Sequence, residues 1–166
     1  MSIVADIARS YRDPRGVIRA RLAEGQREDR ALMLLMLGCA LVFVAQWPRL
    51  ARQAALSDAV PLDALLGGAL FAWGVIVPLA LYGVAAASHL IARLVGGQGA
   101  YYGARLALFW ALVAAAPAWL LHGLVAGMIG PGAGLSIIGA LALGAFLWIW
   151  LAGLVQAERP SSEVMT

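Results

Sequence analysis

The chain has 166 residues and a formal net charge of +3, and 63% of its residues are hydrophobic. Soluble domains are only about 45–50% apolar, so this composition excludes an ordinary soluble fold. All 12 basic residues are arginine, a bias typical of a GC-rich bacterial genome. The single cysteine, Cys39, excludes an intrachain disulfide and argues against a thiolate metal site.

The first thirty residues are polar and contain seven arginines. Apolar residues recur at helical spacing over 3–11, and Asp13-Pro14 then favours a second helix that ends near Glu24. This pattern predicts an amphipathic segment that lies on anionic lipid, and the alternative is a flexible basic tether. No cleavable signal peptide is visible. The candidate lipid- or partner-binding residues here are Arg9, Arg12, Arg15 and Arg19.

Four apolar runs follow, and they contain almost no charge. About 20 apolar residues cross the hydrocarbon of a bilayer as a helix, and the runs lack the alternation of barrel strands. We predict an all-α membrane protein, a bundle of four transmembrane helices preceded by a short amphipathic interfacial segment. The predicted parts are a cytoplasmic basic segment, 1–30, a transmembrane domain, 31–157, with spans at about 31–47, 62–90, 104–128 and 132–156, and a cytoplasmic tail, 158–166.

The arginines also predict the orientation, because positive residues stay on the cytoplasmic side. With the N-terminus inside, ten arginines lie inside and two, Arg49 and Arg52, lie outside. We therefore expect a multi-pass protein of the bacterial inner membrane with both termini in the cytoplasm. His89 then lies at the cytoplasmic interface.

Three prolines lie within the predicted spans or directly after one of them. Pro78 and Pro117 lie centrally in the second and third spans, where each removes one helical hydrogen bond and is expected to kink or locally open its helix. A functional hinge is the alternative. Trp47-Pro48-Arg49 is expected to anchor the end of the first span at the membrane interface.

A glycine-rich turn, 96–99, separates the second span from the third. Exposed amides, a helix N-terminus and an arginine together suit a phosphate headgroup, whereas the alternative is a flexible turn. The candidate binding residues around this turn are Arg93, Tyr101, Tyr102 and Arg105.

Small residues recur at helical spacing in the last two spans. Gly123 and Gly127 form a GxxxG pair, and Ser136, Ala140 and Gly144 repeat every four residues. Such residues let helix backbones approach closely in lipid. We assign them to packing within the bundle, with contact to a second copy or another membrane protein as the alternative.

Ionisable residues inside a membrane are candidates for function, and His122 is the one that lies deep in a span. No acidic residue at that depth is placed to pair with it, so a structural role is favoured over proton transfer. No catalytic triad, carboxylate pair or metal motif is present, and we expect no enzyme activity, no cofactor and no metal. The tryptophans are expected to pack helices or face lipid, with a pigment or quinone surface as the alternative.

Several motifs in chain order resemble the bacterial branch of the Yip-domain (Ypt-interacting protein) family. They are Tyr11, Pro14 and Arg15, then Glu28-Asp29-Arg30-Ala31, the stretch from His89 to Gly99, Arg105, Phe109-Trp110 and Pro117. Eukaryotic members of this family commonly have five spans, and their partners include Rab-type GTPases and membrane-shaping proteins. The resemblance implies a non-enzymatic membrane organiser without catalytic residues.

Taken together, these features predict a non-enzymatic inner-membrane protein that acts through protein–protein or lipid interaction. The expected partners are anionic membrane lipid and another membrane protein or a second copy of the chain, with no nucleic acid. The alternatives are a small oligomeric transporter or channel, or an accessory subunit of a respiratory or photosynthetic complex.

Overall fold

The computed structural model describes residues 2–57 and 59–159, and over these ranges the chain is all-helical, with 84% helix and no strand. Asp58 and most of the predicted tail, 160–166, lie outside the described residues. The elements in chain order are α1 (Ile3–Ser10), α2 (Pro14–Ala23), α3 (Glu28–Leu56), α4 (Leu62–Phe71), a π-helical turn (Ala72–Ile76), α5 (Val77–Leu94), α6 (Tyr101–Ala114), α7 (Ala116–Met128) and α8 (Ala133–Ala157).

Three helices in the described part of the chain are long and apolar enough to cross a membrane. They are Glu28–Leu56, Leu62–Leu94 and Ala133–Ala157, and the bent pair α6–α7 makes a fourth if it counts as one span. The prediction of an all-helical protein with several apolar helices is therefore confirmed, and three or four of these helices could span a membrane.

The first long helix extends beyond the predicted span, 31–47. Helix α3 begins at Glu28, continues through Pro48 and ends at Leu56. Contacts with α7 stabilise the segment around the proline: Gly127 lies directly against Pro48, and Arg52 Nη1 donates to the carbonyl of Gly127 at 3.3 Å. The predicted span, 31–47, covers only part of this helix, which continues past the proline because tertiary contacts offset one missing hydrogen bond.

Both central prolines open their helices locally, as predicted. The missing N–H of Pro78 is accommodated by the preceding π-helical turn, in which the N–H of Val77 reaches back to Ala72. At Pro117 the chain bends by 43° between α6 and α7. There the N–H of Ala118 bonds Ala115 at 3.0 Å, and the carbonyl of Ala114 loses its usual helical donor.

Helix α6 lies at the centre of the bundle. Every residue of this helix except Tyr101 and Arg105 is buried, and the side chains of Phe109 and Trp110 are fully enclosed. Helices α3, α5 and α8 pack around it, together with α1 and α2. A helix that is apolar on every side is buried in this way.

The two N-terminal helices form a hairpin that belongs to this core. Val17 and Ile18 of α2 are buried, and Ile18 lies against Gly153 of α8, where an added Cβ would stand 3.1 Å from its Cγ1. The second short helix begins at Pro14, as the sequence predicts. The hairpin therefore shares one core with the apolar helices.

Asp13 caps α2 and supports the hairpin. Its carboxylate accepts the N–H of Gly16 at 2.8 Å, and this hydrogen bond lowers the pKa of Asp13. Asp13→Ala is expected to cost about 1 kcal/mol and to speed amide exchange in α2, whereas Asp13→Asn retains the cap. Because the pKa of Asp13 is lower in the folded state, its carboxylate contributes its full stabilisation of the fold above about pH 4. That stabilisation is lost as the pH falls further. Hydrogen exchange of α2 measures both effects, and equal exchange in the two variants would contradict the prediction.

The bundle has two distinct ends. One end contains the α1–α2 hairpin, the turn 96–99 and the end of α8, and we call it the terminal end. The loop end contains the connections 57–61 and 129–132. Contacts across the bundle define both ends: Gln98 N–H donates to the carbonyl of Glu158 at 3.0 Å, and Arg52 contacts the carbonyl of Met128.

Candidate interaction site at the terminal end

A chain of hydrogen bonds holds the α1–α2 hairpin on α6. The indole Nε1 of Trp110 donates to Ser10 Oγ at 2.8 Å, and that hydroxyl donates to the carbonyl of Asp6 at 2.8 Å. The hydroxyl of Tyr11 donates at 3.0 Å to the carbonyl of Ala114, the one that the proline bend leaves without its helical donor. The hairpin therefore satisfies polar groups that would otherwise be buried without partners.

One arginine of the N-terminal segment is part of this internal network. Arg21 Nη2 lies 2.9 Å from Asp6 Oδ2, and both side chains are largely buried. Its guanidinium carbon also stands 3.7 Å from the ring centroid of Trp110, a cation–π contact. Burial lowers the pKa of Arg21. This arginine therefore stabilises the fold and is not part of the exposed basic surface.

The four predicted arginines of the hairpin are exposed, and they are Arg9, Arg12, Arg15 and Arg19. Arg9 makes a 3.4 Å surface ion pair with Asp13. Apolar side chains are exposed beside them: Val4 is 75% exposed and Tyr11 is 41% exposed. A helix with cationic and apolar groups at one surface is typical of the lipid–water interface.

The glycine-rich turn already holds a carboxylate of the same chain. Glu158, directly after α8, places Oε1 2.6 Å from Nδ1 of His89, and its Oε2 accepts the N–H of Gly99 at 3.1 Å. His89 and Glu158 are both buried. The contacts of Glu158 with His89 and Gly99 therefore attach the turn to the end of α8.

Glycine is required at this turn for two reasons. Gly96 adopts φ +94°, a left-handed conformation that other residues rarely adopt. A Cβ on Gly97 would stand 2.9 Å from both the carbonyl of Ala92 and Oε2 of Glu158. The small residues thus let the turn approach the end of α8.

The other predicted residues of this region fall into two groups. Arg93 is exposed, and Tyr101 lies on the surface with its ring 4.2 Å from that of His89. Tyr102 is only 4% exposed, so its role is structural, and Arg105 Nη2 is paired at 2.6 Å with Glu28. The hydroxyl of Tyr102 donates to the carbonyl of Arg27, directly before α3, at 3.4 Å, so both residues join α6 to the start of α3.

A polar cavity of about 400 Å³ lies between α2, the turn 96–99 and the end of α8. Its lining includes Arg19, Gln98 and Gln156, and among the residues that the structure describes no carboxylate lines it. Gln156 is 5% exposed, and its Oε1 has no hydrogen-bond partner in the described chain. The first amides of α6 border the same cavity. This cavity offers cationic and neutral polar groups to a ligand.

The predicted small-residue pairs lie in different surroundings. Gly123 and Gly127 lie directly against the backbone of α3, at Ala45 and Pro48. The second set lies on the exposed surface of α8, with open space around Gly144, and it comprises Ser136, Ala140 and Gly144. Only the GxxxG pair contributes to packing within the described bundle.

Sequence reasoning missed Glu158 and Gln156. A usable signal for Glu158 was present, because it is the first acidic residue after the last apolar run and His89 was already placed at the same end. Gln156 had no such signal, since a single amide near the end of an apolar helix has no distinctive spacing.

The fold defines the class of this protein as all-helical, with three or four helices able to cross a membrane. Within the described ranges, no group of three or more His, Cys, Asp or Glu side chains could hold a metal ion. Neither a protein-family model, nor a curated protein, nor a solved structure matches the chain.

Proposed function

We propose that this chain is a non-enzymatic integral membrane protein that binds anionic lipid through the arginines of the α1–α2 hairpin, and so organises the membrane or a partner protein on it. The observation that carries the proposal is that Arg9, Arg12, Arg15 and Arg19 stay exposed on a hairpin that is itself bonded into the bundle. A docked hairpin presents its charges in a defined arrangement, which a flexible tether does not.

The positive-inside rule supports an assignment of the terminal end to the cytoplasm of a bacterial inner membrane. The anionic lipid of that leaflet would then face the exposed arginines of the hairpin. The resemblance to Yip-domain proteins supports the role of a membrane organiser. A count of four spans, with α6 and α7 taken as one, would put both termini on the same side and is consistent with this orientation.

The proposal is tested by removing the exposed charges without touching the core. The triple variant Arg12→Gln, Arg15→Gln, Arg19→Gln is expected to retain at least about tenfold less phosphatidylglycerol, because each arginine near an anionic surface contributes roughly 1 kcal/mol. Native mass spectrometry of protein released from micelles that contain phosphatidylglycerol or phosphatidylcholine measures the retained lipid.

The matched control is the triple lysine variant at the same positions, which keeps the charge and is expected to bind like the wild type. Binding by the wild type should also weaken as salt increases. Equal retention of phosphatidylglycerol by the glutamine and lysine variants, at unchanged thermal stability, would overturn the proposal.

A further inference from the structure

The polar cavity at the terminal end lies at the depth of a lipid headgroup when α8 spans a membrane. Helix α8 has 25 residues and is apolar enough to cross. It is about 37 Å long at 1.5 Å per residue, whereas the hydrocarbon core of a bilayer is about 30 Å thick. Its last residues, Gln156 and Ala157, line the cavity and therefore fall just outside the hydrocarbon. The cavity volume of about 400 Å³ is in the range of small-molecule sites.

Gln156 brings a polar group without a partner to this cavity. Its side chain is buried, with 5% exposure, and it lines the cavity. Neither atom of its amide forms a hydrogen bond within the described ranges, and Oε1 is enclosed by protein atoms. The amide nitrogen is therefore the atom that can donate to a molecule in the cavity. Buried polar groups ordinarily have partners, so this one points to a ligand.

The first turn of α6 brings backbone donors to the same place. Ala100, Tyr102 and Gly103 line the cavity, and Ala100 provides no side-chain cap for this helix of 14 residues. The first N–H groups of a helix have no partner within it. The N–H of Gly103 bonds the carbonyl of Ala100 at 2.9 Å, which leaves those of Tyr101 and Tyr102. A helix N-terminus with free amides favours an anion.

The charge of the lining favours the same kind of ligand. Arg19 of α2 and Arg159 beyond α8 line the cavity, and a guanidinium donates hydrogen bonds but accepts none. Glu158 bonds His89 and Gly99 and is not among the lining residues. The cavity therefore presents positive charge and several donors, a combination that suits the oxygens of a phosphate.

Two further amides extend the choice beyond a bare phosphate. Gln26 and Gln98 line the cavity, and a glutamine amide can accept a hydrogen bond as well as donate one. They suit hydroxyl groups next to the phosphate, as in a glycerol. Gly103 lets the cavity stay narrow, because an added Cβ would stand 2.9 Å from Cβ of Ala157, so α6 and α8 approach closely behind the ligand.

We propose that this cavity binds the glycerophosphate headgroup of one anionic lipid molecule. Arg19, the amide of Gln156 and the first amides of α6 donate to the phosphate, and Gln26 and Gln98 bond the glycerol hydroxyls. The inference rests on the proposed function and adds one defined site to it. The exposed arginines attract many lipids, whereas the cavity holds a single headgroup.

The test is native mass spectrometry of the full chain released from micelles that contain phosphatidylglycerol, with the collision energy raised in steps. One lipid per chain is expected to remain after the loosely held lipid has left. Gln156→Leu should weaken retention of this last lipid about tenfold, because a hydrogen bond to a charged group is lost, while thermal stability stays the same or rises. Gln53→Leu is the matched control, since Gln53 is exposed at the loop end.

A second pair of variants separates the cavity from the surface of the hairpin. Arg19 lines the cavity, whereas Arg15 of the same helix does not. Arg19→Gln and Arg15→Gln each remove one exposed charge, so both should reduce the loosely held lipid alike. Only Arg19→Gln should weaken retention of the last lipid, by about fivefold or more.

Equal retention of the last lipid by Gln156→Leu and Gln53→Leu would overturn the cavity site and leave the proposed function standing, because both variants keep every arginine. Equal effects of Arg19→Gln and Arg15→Gln on that lipid would also overturn it. So would equal retention of phosphatidylcholine, or displacement of the lipid by an equimolar amount of glycerol 3-phosphate, which would assign the site to a soluble phosphate ester. The proposed function fails on a different result, equal total lipid in the triple glutamine and triple lysine variants.

Discussion

Gly123→Ala is expected to destabilise the bundle by about 2–3 kcal/mol, an unusually large effect for one added methyl group. The reason is that a Cβ at this position would overlap the backbone carbonyl of Ala45 in α3. A backbone, unlike a flexible side chain, yields only if the two helices separate. Separation would also weaken the neighbouring contact between Gly127 and Pro48, where an added Cβ would lie 2.6 Å from the proline carbonyl carbon.

Thermal unfolding of the detergent-solubilised protein measures this loss. Gly144→Ala is the matched control, because it makes the same change in an apolar helix where no atom lies within 4 Å of the new Cβ. The control should be as stable as the wild type or slightly more stable, since alanine favours a helix more than glycine does. Equal losses in the two variants would show that close packing of α3 on α7 is not the cause.

Glu158→Ala is expected to cost about 3 kcal/mol, because removal of one partner from a buried pair leaves the other without compensation. His89 Nδ1 would lose its 2.6 Å contact, and the N–H of Gly99 would lose its acceptor. The turn 96–99 would then separate from α8. Hydrogen exchange in this turn should rise together with the loss of global stability.

Glu158→Gln is expected to lose less, because the amide keeps an oxygen that can accept from the turn. Asp29→Ala is the surface control: Asp29 pairs with Arg27 at 2.9 Å but is 67% exposed, so little change is expected. A double-mutant cycle with His89→Ala should give a clear coupling energy. Additive effects of Glu158→Ala and His89→Ala would show that the pair does not act as one unit.

Much of the fold could be predicted from local patterns. Hydropathy alone indicated long apolar helices, the chemistry of proline indicated the irregularities at Pro78 and Pro117, and Asp13-Pro14 indicated the start of α2. The end of α3 could not be predicted in this way. Its continuation past Pro48 depends on α7, which is distant along the chain, and a local rule about proline carries no information on that contact.

The candidate sites could be predicted only in part. The exposed arginines of the hairpin follow from their spacing, because charged side chains avoid an apolar core. Arg21 has the same residue type and similar neighbours in sequence, yet it is buried on Trp110. Tyr102 and Arg105 were expected to face an anion, whereas the anion that the turn holds is the carboxylate of Glu158.

The sequence by itself determined the helical class, the apolar spans and the distribution of charge, because hydrophobicity, helix propensity and the missing N–H of proline are properties of single residues and their near neighbours. Only the tertiary structure decided which polar groups meet. His89 and Glu158 are 69 residues apart, and Ser10 and Trp110 are 100 residues apart. Such pairs depend on how the helices are arranged around α6, and that arrangement results from the packing of the whole chain.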